Sequence, residues 1–153
     1  MKPKTIILAV IGAALLGVLV AVLMRPASGG IANVDAAGVE KAIAAGAQVV
    51  DVRTAGEYQM GHIPGAINVP VDQLEASAAS WDRNATYVVY CATGARSATA
   101  VETMKSMGFG SIKHFNAGIQ AWGGKLDTGA PSASTSKIQT NGKPVFIEFF
   151  TDS

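Results

Sequence analysis

The longest apolar stretch of the chain runs from Thr5 to Met24, TIILAVIGAALLGVLVAVLM, with no charged residue in it. As a helix it would span about 30 Å, the thickness of a bilayer's hydrocarbon core. Lys2 and Lys4 precede it and Arg25 follows it, a charge bias that predicts a cytoplasmic N-terminus and a soluble part on the non-cytoplasmic side, the periplasm if the host is a bacterium. Residues 1–25 therefore read as a membrane anchor, with a cleaved signal as the alternative. Beyond this segment the apolar positions come in short bursts. RPASGGIAN (25–33) reads as a linker, and residues 34–47 as a helix with Asp35 as cap, Val39, Ala42 and Ile43 on one face and Gly46 as terminator. Residues 47–53, 67–70, 85–91 and 111–115 read as strands, and ATYVVYC (85–91) is the strongest of them. Residues 71–81, 97–108 and 118–124 read as helices. Strands apolar on both faces that alternate with helices predict an α/β domain, a parallel sheet covered on each side. The domain is placed at 34–124, between linkers at 26–33 and 125–142, with a last strand at 143–153.

Composition narrows the chemistry. Of the 153 residues 49% are hydrophobic and 15% charged, and the net charge is +1. That balance, without a basic cluster, argues against nucleic-acid binding. One cysteine and two histidines, His62 and His114, exclude an internal disulfide and are too few for a thiolate zinc site. No cofactor is called for.

The single thiol, Cys91, ends the strongest strand and is followed by ATGARSATA. In an α/β sheet ligands sit at the carboxyl ends of strands. The small residues Ala92, Thr93, Gly94 and Ala95 allow successive backbone N–H groups to face one point, and a helix starting near Ser97 adds the positive end of its dipole. A thiolate in that field is favoured over the thiol. Gly94 suits a close or left-handed turn, and Arg96 supplies a planar fork suited to a sulfonate or phosphate oxygen. Against this stands the plain reading of Cys91 as a structural residue closing a buried strand.

The run DVRTAGEYQMGHIPGAINVP (51–70) together with YCATGARS (90–97) resembles the rhodanese family of single-domain sulfurtransferases. The resemblance covers about residues 34–124. It implies a central parallel sheet and a cysteine that cycles between thiolate and persulfide, taking sulfane sulfur from a small donor such as thiosulfate to a thiol or cyanide acceptor. By position, Cys91 matches the sulfur carrier. Ala92, Thr93, Gly94, Ala95, Arg96 and Ser97 match the persulfide cradle. Asp51 and Arg53 match a pair that shapes the pocket or forms a structural salt bridge. Glu57 and His62 match positions that tie down the Gly61–Ala66 turn, and Trp122 a core aromatic. The six residues from Cys91 to Arg96 resemble the sulfur-transferring members rather than the related phosphatases, whose loop is longer by a residue. Two departures stand out: Asn116-Ala117-Gly118 replaces the usual glycine pair, and the loop has no second basic side chain at Ala92 or Ala95. The second weakens the loop's field for a dianionic donor such as thiosulfate. A non-catalytic rhodanese-like binding module is the alternative.

KPVFIEFFTDS (143–153) resembles the strand preceding the redox motif of thioredoxin-like domains. A thioredoxin-like partner, or the relay half of a truncated fusion, is expected from it. Because that family's first redox cysteine would follow Ser153, the expectation extends to a UGA codon read as selenocysteine. Sequencing the gene decides it, and any other codon ends the idea.

Overall fold

The computed structural model describes residues 29–130. The stretches 5–24 and 143–153, with the anchor and the thioredoxin-like strand expected there, lie outside the described residues. No helix among the described residues is long and apolar enough to cross a membrane.

Five strands, β1 (Ile31–Asn33), β2 (Gln48–Asp51), β3 (Ala66–Asn68), β4 (Thr86–Tyr90) and β5 (Ser111–Phe115), form one sheet in the order β1-β5-β4-β2-β3. Every pairing is parallel. The helices are α1 (Ala36–Ala44), α2 (Ala55–Met60), α3 (Leu74–Ser77) and α4 (Ala95–Ser106). Side chains alternate along β4: Tyr87, Val89 and Cys91 pack in one core with Leu74, Ala100, Val101 and Met104, while Val88 and Tyr90 pack in the other with Val39, Tyr58, Phe115 and Trp122. A sheet buried on both faces needs strands with apolar side chains on both, and Val49 and Val50 of β2 and Tyr87–Tyr90 of β4 meet that need.

Local signals explain the helix ends. The Asp35 carboxylate accepts the Gly38 N–H at 2.8 Å and starts α1. Past its end, Gly46 takes φ +89° and the Ala47 N–H returns to the Ala42 carbonyl, closing the helix. Thr54 and Glu57 form a reciprocal capping box at α2.

Five points of the sequence reading need correction. Residues 31–33, read as linker, form the edge strand β1 beside β5. Its three residues are exposed, so backbone pairing alone makes the strand and no hydrophobic pattern announces it. The helix α2 is not among the expected elements, because its six residues bury only Tyr58. The helix expected over 71–81 shrinks to one turn, Leu74–Ser77, followed by a 3-10 turn at Ala78–Ser80, and 118–124 contains only the 3-10 turn Ile119–Ala121. The helix placed from Ser97 begins at Ala95, so Ala95 and Arg96 are its first turn rather than loop.

The topology positions a site. The chain leaves β2 through α2 toward β3 at one edge, and leaves β4 through α4 toward β5 on the other side. Adjacent strands whose connections diverge leave a crevice at their carboxyl ends. Cys91 follows β4 there, next to the end of β2 at Asp51.

Candidate active site

Cys91, just past the carboxyl end of β4, is 1% exposed. Its Sγ accepts the Gly94 N–H at 3.1 Å and the Ser97 hydroxyl lies 3.5 Å away. Burial pushes the thiol's pKa up, but hydrogen bonds from the Ser97 hydroxyl and from the Ser97, Thr93 and Gly94 N–H groups outweigh it, and the net shift is below the ordinary value of 9.0. The three-residue turn Ala92–Gly94 thus forms the expected concavity.

Close packing fixes that turn. Gly94 has φ +100°, and a side-chain carbon there would collide with the Asn116 carbonyl. Gly118 has φ +69°, and a side-chain carbon there would collide with the Ala92 carbonyl. The Cys91 carbonyl accepts the Ile119 N–H at 2.9 Å. The loop after β5 therefore braces the thiol loop. Of the Asn116-Ala117-Gly118 triplet, the glycine retained is the one whose backbone must approach Ala92.

Arg96 does not present an open fork. Its two terminal nitrogens both donate to Glu57, Nη1 to Oε2 and Nη2 to Oε1, each at 2.7 Å. Glu57 also accepts the Thr54 N–H at 3.1 Å and the Thr54 hydroxyl at 2.8 Å. The Arg96 hydrogen bonds, with those from Thr54, pull the Glu57 carboxyl down to about 2 against an opposing effect of burial. Glu57 thus belongs to α2's cap and to Arg96, and not to the Gly61–Ala66 turn as expected.

That turn is held by other groups. His62 Nδ1 donates to the Tyr58 carbonyl at 2.9 Å, its ring stacks on Tyr58 with centroids 3.7 Å apart, and its N–H bonds to the Asp127 carbonyl at 2.8 Å. The Arg53 Nη2 donates to the Gly61 carbonyl at 2.7 Å while its guanidinium pairs with the fully buried Asp51. Tyr90 Oη accepts the Ile63 N–H at 3.1 Å. Asp51, Arg53 and His62 therefore act as a frame for the crevice wall, and the hydrogen bonds each makes go to that frame and not to Cys91. Trp122 packs edge-on against Phe115 in the core, as expected.

One group at the site was missed from sequence. His114, 8% exposed, places Nε2 2.9 Å from Ser97 Oγ and Nδ1 3.1 Å from Asn33 Oδ1. Its place on β5, whose loop braces the thiol loop, was the available signal. Among the described residues no group of His, Cys, Asp and Glu side chains is arranged to hold a metal ion.

The model of the rhodanese-like domain matches residues 35–125. The chain belongs to the rhodanese-like family. A rhodanese-related protein from Thermoplasma volcanium superposes with a TM-score of 0.57 at 35% identity, covering 62% of this chain and 96% of that one. The Escherichia coli thiosulfate sulfurtransferase PspE is 36% identical over 67 residues, 42% of this chain and 64% of PspE. The Bacillus subtilis protein YrkF is 34% identical over 79 residues, 52% of this chain and 43% of YrkF. The chain thus spans 43% of YrkF and 64% of PspE, and the rhodanese-like domain is what they share with it.

Proposed function

We propose that the rhodanese-like domain, placed at 34–124, is a sulfurtransferase that carries sulfane sulfur as a persulfide on Cys91. The observation that carries this reading is the Cys91 sulfur, buried yet favoured as thiolate by the N–H groups of Thr93, Gly94 and Ser97 and the Ser97 hydroxyl. Family relatives that bear the name sulfurtransferase support it.

With thiosulfate as donor, the Cys91 thiolate attacks the outer sulfur, the S–S bond of the donor breaks, and sulfite leaves with the electron pair. The new persulfide places its terminal sulfur above the turn Ala92–Gly94. An acceptor thiolate, or cyanide, then attacks that terminal sulfur and Cys91 leaves as thiolate, regenerating the site. The N–H groups that face Sγ serve both steps, because each begins or ends with negative charge on sulfur. In this proposal the apolar segment 5–24 anchors the domain on the non-cytoplasmic side of a membrane, where a thioredoxin-like protein is a fitting thiol partner.

The test is mass spectrometry of the protein after incubation with thiosulfate or an organic persulfide. The expected product is about 32 Da heavier, one sulfur atom, with the addition on Cys91 and absent from Cys91→Ser. A protein that gains no sulfur from either donor is a binding module, and the proposal is then wrong.

A further inference from the structure

Behind Cys91 and Ser97 lies a buried histidine, His114, that sulfur transfer as described does not use. Ser97, on the first turns of α4, is fully buried, and His114 on β5 is nearly so. The three contacts run in line: Cys91 Sγ to Ser97 Oγ at 3.5 Å, Ser97 Oγ to His114 Nε2 at 2.9 Å, and His114 Nδ1 to Asn33 Oδ1 at 3.1 Å. Asn33 comes from the edge strand β1 and stands opposite His114 in register.

The Asn33 amide, turned with Oδ1 toward His114 Nδ1, sets the direction of this chain. An amide oxygen only accepts, so Nδ1 carries the hydrogen of a neutral His114 ring and Nε2 offers a lone pair. The partner of that lone pair is the Ser97 hydroxyl. The other acceptors within reach of this hydroxyl are the Gly94 carbonyl at 3.0 Å, which also receives the Ala98 N–H at 2.9 Å, and Cys91 Sγ at 3.5 Å; Nε2 is the nearest of the three. A hydroxyl that donates to Nε2 turns its own lone pairs toward Cys91, where a thiol S–H can donate to them.

We infer that His114, clamped by Asn33, aims the Ser97 hydroxyl and takes up the Cys91 proton through it. The inference rests on the reading of Cys91 as the nucleophile. In the step, the proton on Sγ passes to Ser97 Oγ while the Ser97 hydrogen passes to Nε2. One proton leaves sulfur and one arrives on nitrogen, and no other bond changes. The hydrogen bonds then run in reverse: Nε2–H donates to Ser97 Oγ, and the Ser97 hydroxyl donates to the thiolate. Nδ1–H stays on Asn33 throughout. Both protonation states leave every group in the chain satisfied, which is what a buried polar network requires.

The surroundings suit this role. Across β5, His114 faces Val89 of β4 and Asn33 of β1, and from the thiol loop and α4 it meets Gly94 and Ser97. Burial lowers its pKa, partly offset by the Gly94 carbonyl, and no charged side chain contributes. The ring therefore rests neutral, burial opposes its charged form, and the thiolate that forms at Cys91 is the charge that offsets this when the proton moves. Ser97 touches the reacting sulfur; His114 and Asn33 are positioning residues that act through it.

The experiment is the rate of Cys91 alkylation by iodoacetamide as a function of pH on the full chain, which reads the thiolate without any sulfur donor. His114→Ala is expected to move the midpoint of the profile up by about one pH unit, a roughly tenfold slower reaction on its acid side. Asn33→Ala, on the exposed edge strand, is expected to move it the same way by less. It carries the test if His114→Ala does not fold. In a Ser97→Ala background, His114→Ala is expected to add nothing, because its path runs through that hydroxyl. Profiles of the folded variants that superpose on the wild type overturn the inference, as does a full His114→Ala shift in the Ser97→Ala background. A shifted alkylation profile in a protein that never gains sulfur overturns the sulfurtransferase reading and leaves the relay standing.

Discussion

Glu57→Gln tests whether the loop's arginine is available to an anionic donor. In the native site both terminal nitrogens of Arg96 are held by Glu57, so the pair is close to neutral as seen from the crevice. The amide introduced by Glu57→Gln would keep one acceptor oxygen and present N–H₂ where the second carboxylate oxygen was, which frees one side of the fork. Two effects follow. The first is on stability. A carboxyl lowered from 4.5 to about 2 corresponds to about 3 kcal/mol if taken at face value. The side chains of Arg96 and Glu57 are 37% and 28% exposed, so solvent screening reduces the contribution to about 1 kcal/mol. For a domain of this size that is a loss of about 4–8 °C in Tm at pH 7. Because the folded pKa is the depressed one, this stabilisation is present above pH 4.5 and is lost as pH falls through about 2, where the two melting curves converge. The second effect is on donor choice. An uncompensated positive charge near the thiol attracts each unit of donor charge by about 1 kcal/mol at the solvent-like dielectric of this rim. A dianion such as thiosulfate gains about 1–2 kcal/mol, so its KM should fall about tenfold, while transfer from an uncharged organic persulfide should not gain. Steady-state kinetics with the two donors reads this directly. A thiosulfate KM that stays put or rises in the folded variant refutes the argument that Glu57 occupies the anion site.

Other consequences are as direct. Asp51→Asn leaves the Arg53 guanidinium, 6% exposed, without its charge partner and should cost about 3–5 kcal/mol in urea denaturation, whereas replacing Asp51 and Arg53 together by apolar residues should recover much of it. Gly94→Ala combines a left-handed backbone with a collision on the Asn116 carbonyl; it should lose at least about 2 kcal/mol by the same measurement and most of its sulfur loading by mass spectrometry. Tyr90→Phe removes the acceptor of the buried Ile63 N–H and should cost about 1–3 kcal/mol in thermal denaturation, with Cys91 alkylation unchanged.

Sequence alone determined the parts of this protein that depend on local pattern. The strands around Val49 and Val88 are apolar on both faces, and a parallel sheet covered on each side buries such strands. Cys91, the small residues behind it and the following helix were legible as a thiolate cradle, because backbone N–H groups need only space and a turn to converge. Tertiary structure decided what no local pattern encodes. The strand Ile31–Asn33 exists because β5 offers it an unpaired edge, and its exposed side chains carry no periodic signal. Arg96 reads as a free anion fork until α2 brings Glu57, 39 positions away, against it. His114 reads as one of two scattered histidines until sheet register sets it between Asn33 and Ser97. Charge pairing and hydrogen-bond direction depend on distances across the sheet, and those distances are fixed only when the strands have found their order.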